Sequence, residues 1–176
     1  MKYLFTIVVI LISNLSLGQV EKTSDTLEIW TVFSIGNFIN QNAEKIIEKN
    51  WPFKIKGIAG DAFSEELIDD IQMHNEKVWN YLDSNGYSDS KKTFETDLLS
   101  EIKRIKNAVE ISNSNPEIAD LLITLKNNKR QNHTELTKIN VHTYQFKLYS
   151  FEVDKPENGE KLEKIFRVNV VTNTIE

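Results

Sequence analysis

Between Ser64 and Leu125 the apolar residues recur every three or four positions, whereas from Glu135 onward they recur every second position. A helix turns about 100° per residue and a strand about 180°, so neither pattern serves the other structure. The chain is thereby committed to helices and strands in separate blocks. Ser64 followed by Glu65 and Glu66 predicts a capped, acidic helix start, and Leu67, Ile68, Ile71, Val78, Trp79 and Leu82 line its apolar face. Ser84-Asn85-Gly86 ends it. A second helix runs from about Lys91 to Ile111, with Phe94, Leu98, Ile102, Ile105 and Val109 on one stripe. Asn115-Pro116-Glu117 opens a third, lined by Ile118, Leu121, Leu122 and Leu125, and Lys126, Lys129 and Arg130 place positive charge at its far end.

Strands flank this helical block. Leu27, Ile29, Thr31, Phe33 and Ile35 form a strand broken at Gly36; a helix through Phe38, Ile39, Ala43, Ile46 and Ile47 stops at Trp51-Pro52; and a second strand from Phe53 ends at Gly60. Strand, helix and strand within about thirty residues predict a parallel β-α-β unit. At the other end, Ile139 and Val141 lead into Tyr144, Phe146 and Leu148, after which the apolar register moves to Tyr149, Phe151 and Val153, implying a bulge near Tyr149. Asp154 to Glu160 turns the chain, and Ile165, Phe166, Val168, Val170 and Val171 return it. The expected fold is a single α+β domain over residues 27–176. In it the N-terminal β-α-β unit and a C-terminal β-hairpin join one mixed or antiparallel sheet, covered by three to four amphipathic helices.

Residues 1–18 carry an address. Lys2, the apolar run Leu4 to Ile12, and small residues Ser16 and Gly18 before Gln19 match the three parts of a cleaved signal peptide, and Gln19 to Thr26 reads as a leader. Ser13, Asn14 and Ser16 interrupt the run well short of the roughly 20 residues a spanning helix needs. The expectation is export to the bacterial periplasm or the secreted fraction, with no stable membrane insertion after cleavage. Cysteine is absent, so neither disulfides nor a lipidated cysteine is available. The net charge of −5 argues against nucleic acid and favours basic partners, a protein or a small ligand. Asn132-His133-Thr134 fits a glycosylation triplet, a pattern that chance supplies readily in an Asn-rich chain.

No motif specifies a reaction. The chain holds no Gly-x-Ser-x-Gly elbow, no phosphate-cradling glycine loop and no His-Glu-x-x-His, and nothing in it points to a metal or cofactor. Four residues invite chemistry. On the helix after Ser64, Asn75 falls within the apolar arc, His74 stands at its edge and Asp70 is one turn earlier. A polar residue inside a packing face costs about 1–3 kcal/mol unless hydrogen-bonded, so Asn75 requires a specific partner. That partner is either a ligand, with His74 and Asp70 moving a proton, or the backbone of a neighbouring strand, with His74 solvated beside Asp70. Asp61 follows Gly60 at the carboxyl end of a strand of the β-α-β unit, where ligands of parallel sheets bind and where capping aspartates also occur. The balance favours an exported, non-enzymatic binding or interaction domain. The alternative is a small hydrolase or metal-dependent enzyme using Asp61, Asp70 and His74. Trp30, Trp51 and Trp79 read as core residues, and His133 and His142 as structural members of the β segment.

Overall fold

The computed structural model describes residues 26–32, 37–60, 64–155 and 159–176. The signal-like stretch 1–18, the strand end and break expected at Phe33 to Gly36, and residues 156–158 of the expected turn lie outside these residues. Strand β1 (Leu27–Val32), helix α1 (Phe38–Ile47), a 3-10 turn (Glu48–Asn50) and strand β2 (Phe53–Ala59) form the predicted unit. β1 and β2 pair in parallel, Leu27 opposite Phe53 and Thr31 opposite Gly57. Helices α2 (Glu65–Ser84), α3 (Ser90–Asn113) and α4 (Pro116–Asn127) follow, and then strands β3 (Gln131–Lys138), β4 (Thr143–Phe151), β5 (Lys161–Asn169) and β6 (Thr174–Ile175). The fold is α+β.

Helix boundaries fall where backbone chemistry places them. Ser64 Oγ accepts from the Leu67 N–H at 3.2 Å, and Asn115 Oδ1 accepts from the Ile118 N–H at 3.2 Å ahead of Pro116. α2 ends at Gly86, whose φ of +97° is the left-handed geometry that closes a helix, while the Tyr87 N–H returns to the Leu82 carbonyl at 3.1 Å. Among the described residues no helix is long and apolar enough to cross a membrane.

The strands do not share one sheet. β1 and β2 form a two-stranded parallel sheet, and the later strands form a separate antiparallel sheet in the order β3-β4-β5-β6. Strand β3 was hidden in the sequence because Leu136 is its one large aliphatic residue. The change of register expected at Tyr149 takes another form as well. β4 keeps alternating, with Tyr144, Phe146, Leu148 and Ser150 all buried. The irregularity lies in its pairing with β5, where Leu148 faces Lys164 and Tyr149 faces Leu162, leaving Glu163 as the extra residue. A serine can occupy that core position because its hydroxyl donates to Glu163 Oε1 at 2.6 Å and accepts from Arg130 Nε at 2.7 Å. Arg130 also binds Glu152 at 2.9 Å.

Two cores result. One gathers Ile29, Phe53, Val78, Trp79 and Phe94 beneath the parallel pair. Within it Trp51, Phe53, Trp79 and Phe94 pack ring against ring at centroid distances of 5.4–6.5 Å, the core role expected of Trp51 and Trp79. The other gathers Ala43, Ile105, Ala108, Ile118, Tyr144, Phe146, Phe166 and Val168 beneath the antiparallel sheet. α3 serves both, since Phe94 belongs to the first core, Ile105 to the second, and Leu98 packs against each.

One helical turn beyond Leu98 stands Glu101, fully buried. Its Oε1 accepts from the Tyr144 hydroxyl at 2.7 Å, and its Oε2 from Lys138 Nζ at 2.7 Å and Arg104 Nη2 at 2.6 Å. Burial pushes this carboxyl up, but the bonds from Lys138, Tyr144 and Arg104 together outweigh it and hold the group below its ordinary value. Burial and the adjacent Glu101 carboxylate raise the Tyr144 phenol well above its own ordinary value. Removing the acceptor strands three donors, so Glu101→Ala is expected to cost about 3–5 kcal/mol, and Tyr144→Phe about 1–3 kcal/mol, in urea unfolding at neutral pH. A depressed carboxyl stabilises the fold above its unfolded value of 4.5, and the contribution is lost as pH falls through the lower folded value. As pH falls from 4.5 toward that lower value, the unfolding midpoint of the native chain should fall more steeply than that of Glu101→Gln.

Candidate functional site

The residues that the sequence marks on α2 do meet a strand. Asn75 Oδ1 accepts from the Trp30 N–H at 2.8 Å, and Asn75 Nδ2 donates to the Trp30 carbonyl at 2.8 Å. One amide thus satisfies both backbone groups of one residue of β1, as a neighbouring strand would. His74 Nε2 lies 2.9 Å from the Glu28 carbonyl, and since a carbonyl can only accept, the ring hydrogen is on Nε2. The His74 ring stacks on the Trp30 indole at 3.8 Å with an interplanar angle of 8°. The imidazole is therefore not solvated beside Asp70. Asp70 is exposed and makes no hydrogen bond or ion pair with another described residue.

Among the described residues β1 borders no strand other than β2, and these contacts occupy its other edge. Its outer edge is covered by side chains of α2 rather than by another strand, which protects otherwise unpaired backbone groups. Glu28 contributes on the same strand. Its carboxylate accepts from Lys56 at 2.9 Å on β2, which lowers its pKa below the ordinary value.

Among the described residues, Asn75 and His74 bond the backbone of β1 and Asp70 stands exposed. Asp61 lies outside them. A hollow of about 430 Å³ beside α2 is bordered by Asn75, Gln72 and Glu76 with Ile29 and Lys91, and neither His74 nor Asp70 lines it. No group of three His, Asp or Glu side chains among the described residues is placed to hold a metal ion. Of the other histidines, His133 stacks on Tyr149 at 5.2 Å and also borders a cavity between the antiparallel sheet and the helices.

A second concavity escaped the sequence entirely. Between the antiparallel sheet and the helices lies a cavity of about 600 Å³. Phe146 of β4, Phe166 of β5 and Leu148 form its floor, with the two phenyl rings stacked at 5.1 Å, and Ile118 and Leu122 of α4 form a wall. Its polar border is Ser112 and Asn113 at the end of α3, together with Asn132 and Thr134 on β3. The side chains of Asn113, Asn132 and Thr134 make no hydrogen bond to another described residue. The apolar members appear in the sequence only as ordinary core residues. What sets them apart is that α4 and β3 leave space over them, and spacing along the chain carries no trace of it.

No protein-family model, curated protein or solved structure matches this chain.

Asn75→Ala removes two bonds to one strand residue and should cost about 1–3 kcal/mol in chemical unfolding. Hydrogen exchange at the Trp30 amide should accelerate in that variant, while amides of β4 keep their protection. His74→Ala should show a smaller loss, since one bond and one stacking contact are removed.

Proposed function

We propose that this chain is an exported, non-enzymatic binding domain of the bacterial envelope or secreted fraction, and that its ligand is a small amphipathic molecule held between the antiparallel sheet and α4. The observation that carries the reading is the 600 Å³ cavity, floored by Phe146 and Phe166 and edged by polar groups with free hydrogen-bonding capacity. Ligand sites are typically concave and largely apolar, with a few polar groups that fix orientation. An apolar body of the ligand would lie against Phe146, Phe166, Leu148 and Leu122. Its polar end would face Asn113, Asn132 and Thr134.

The absence of a recognisable reaction motif and the signal-like start support the non-enzymatic and exported parts of the reading. His74 and Asn75 already bond the backbone of β1, which leaves less of their chemistry for a substrate.

The test uses anilinonaphthalene sulfonate, a dye that brightens in apolar surroundings, with decanoate as competitor. The dye should bind saturably to the folded chain and be displaced by decanoate. Thr134→Phe should fill the polar side of the cavity and weaken dye binding by roughly fivefold or more without lowering the melting temperature, because Thr134 is only half-buried. Dye binding that is absent, or indifferent to both decanoate and Thr134→Phe, would exclude this cavity as the site.

A further inference from the structure

Strands β3 and β4 run from that cavity to an opposite end of the sheet with a different character. There the turn between β3 and β4 lies beside the turn between β5 and β6, tied by the Val170 N–H to the His142 carbonyl at 2.9 Å. Thr143 pairs with Asn169, so extending the register places Val141 across from Val171. These side chains are 54% and 63% exposed, and Ile139 in the first turn is 46% exposed. Val141 and Val171 thus face each other across two joined turns, with Ile139 exposed in the first of them. Clustered apolar exposure of this kind marks a contact surface.

Positive charge stands beside Val171. A hollow of about 520 Å³ along α3 is bordered by Lys103, Arg104 and Lys106, with Val170 and Val171 from the second turn. Arg104 is engaged by Glu101 and Ser100. Lys103 and Lys106 make no hydrogen bond or ion pair with another described residue. Glu110 borders the same hollow, so the local balance remains positive in a chain whose net charge is −5.

From this juxtaposition we infer that the turn-bearing end of the antiparallel sheet docks peripherally on an anionic lipid bilayer, independently of what the cavity binds. Val141, Val171 and Ile139 enter the interfacial layer, and Lys103 and Lys106 lie over headgroup phosphates. Protruding aliphatic tips suit a deformable apolar layer, whereas an acidic protein would need matching pockets and a soluble phosphate would leave the tips in water. Lysine stems are long enough to hold their charges at the headgroups while the tips insert, and each basic residue near such a surface adds attraction. The attachment is interfacial and reversible, unlike a spanning helix.

The natural chain has no cysteine, so a single introduced cysteine reports one place. Full-length Val141→Cys and Met73→Cys chains, each carrying a polarity-sensitive fluorophore, are mixed with vesicles of phosphatidylcholine alone or with phosphatidylglycerol. Met73 is 58% exposed on α2, which packs against the parallel pair, and controls for attachment through the apolar run Leu4 to Ile12. The expected result is a blue shift at position 141 with the anionic vesicles only, little change at position 73, and loss of the shift as salt rises. Lys103→Gln with Lys106→Gln, both at exposed sites, should weaken vesicle binding roughly tenfold or more. The inference fails if position 141 does not shift, if both positions shift alike, or if neutral vesicles act equally. It also fails if the lysine variant binds unchanged, or if inorganic phosphate or polyglutamate alone reproduces the shift.

Discussion

A carboxylate with no exposure to water, Glu101, governs how the two halves of this molecule are held. Such a charge is tolerable only where its oxygens are saturated by well-placed donors, and Tyr144, Lys138 and Arg104 supply them. Because Tyr144 belongs to β4 and Lys138 to β3, the network fixes the rotation and height of α3 over the antiparallel sheet. Hydrophobic contact alone is less directional, since an apolar stripe tolerates sliding. With α3 set in place, Phe94 and Leu98 are delivered to the aromatic core under the parallel pair, and Ile105 and Ala108 to the second core.

The division into two sheets follows from a similar use of polar side chains. A strand edge attracts another strand because its N–H and carbonyl groups need partners. On β1 those partners come from Asn75 and His74 of α2, with Trp30 stacked on the imidazole. The same chemistry that makes a histidine and an asparagine on an apolar arc look like a reactive pair makes them suited to finishing a sheet. Polar groups within the packed parts of this fold are consistently paired in this way. Ser150 with Arg130 and Glu163 is another case, and among the described residues no buried side-chain nitrogen or oxygen lacks a partner.

Binding surfaces then arise where packing is incomplete. A concavity bordered by Ile118 and Leu122 of α4, Asn132 and Thr134 of β3, and Phe146 and Phe166 remains beside the second core. At the far end of the same strands, two joined turns carry Val141 and Val171 past the last ladder bonds into solvent. The proposed ligand site and the proposed lipid contact are thus opposite ends of one sheet, and neither requires the other to change shape.

The α+β class, the parallel pairing of β1 and β2, the helix starts at Ser64 and Asn115, and the need of Asn75 for a partner were all legible in the sequence. Each depends on residues close along the chain or on a local cost that must be met somewhere. Glu101 left a trace too, since it falls in the apolar stripe between Leu98 and Ile105. β3 left little, because a strand of mostly polar residues owes its existence to β4 beside it rather than to its own alternation. Periodicity likewise placed an irregularity at Tyr149 but not the extra Glu163 across the ladder that produces it. The sequence by itself determined where the helices and the strands other than β3 and β6 lie and that Asn75 had to be satisfied. The tertiary structure alone decided who satisfies them, that the strands divide into two sheets, and where a cavity remains, because these depend on distances between groups dozens of residues apart.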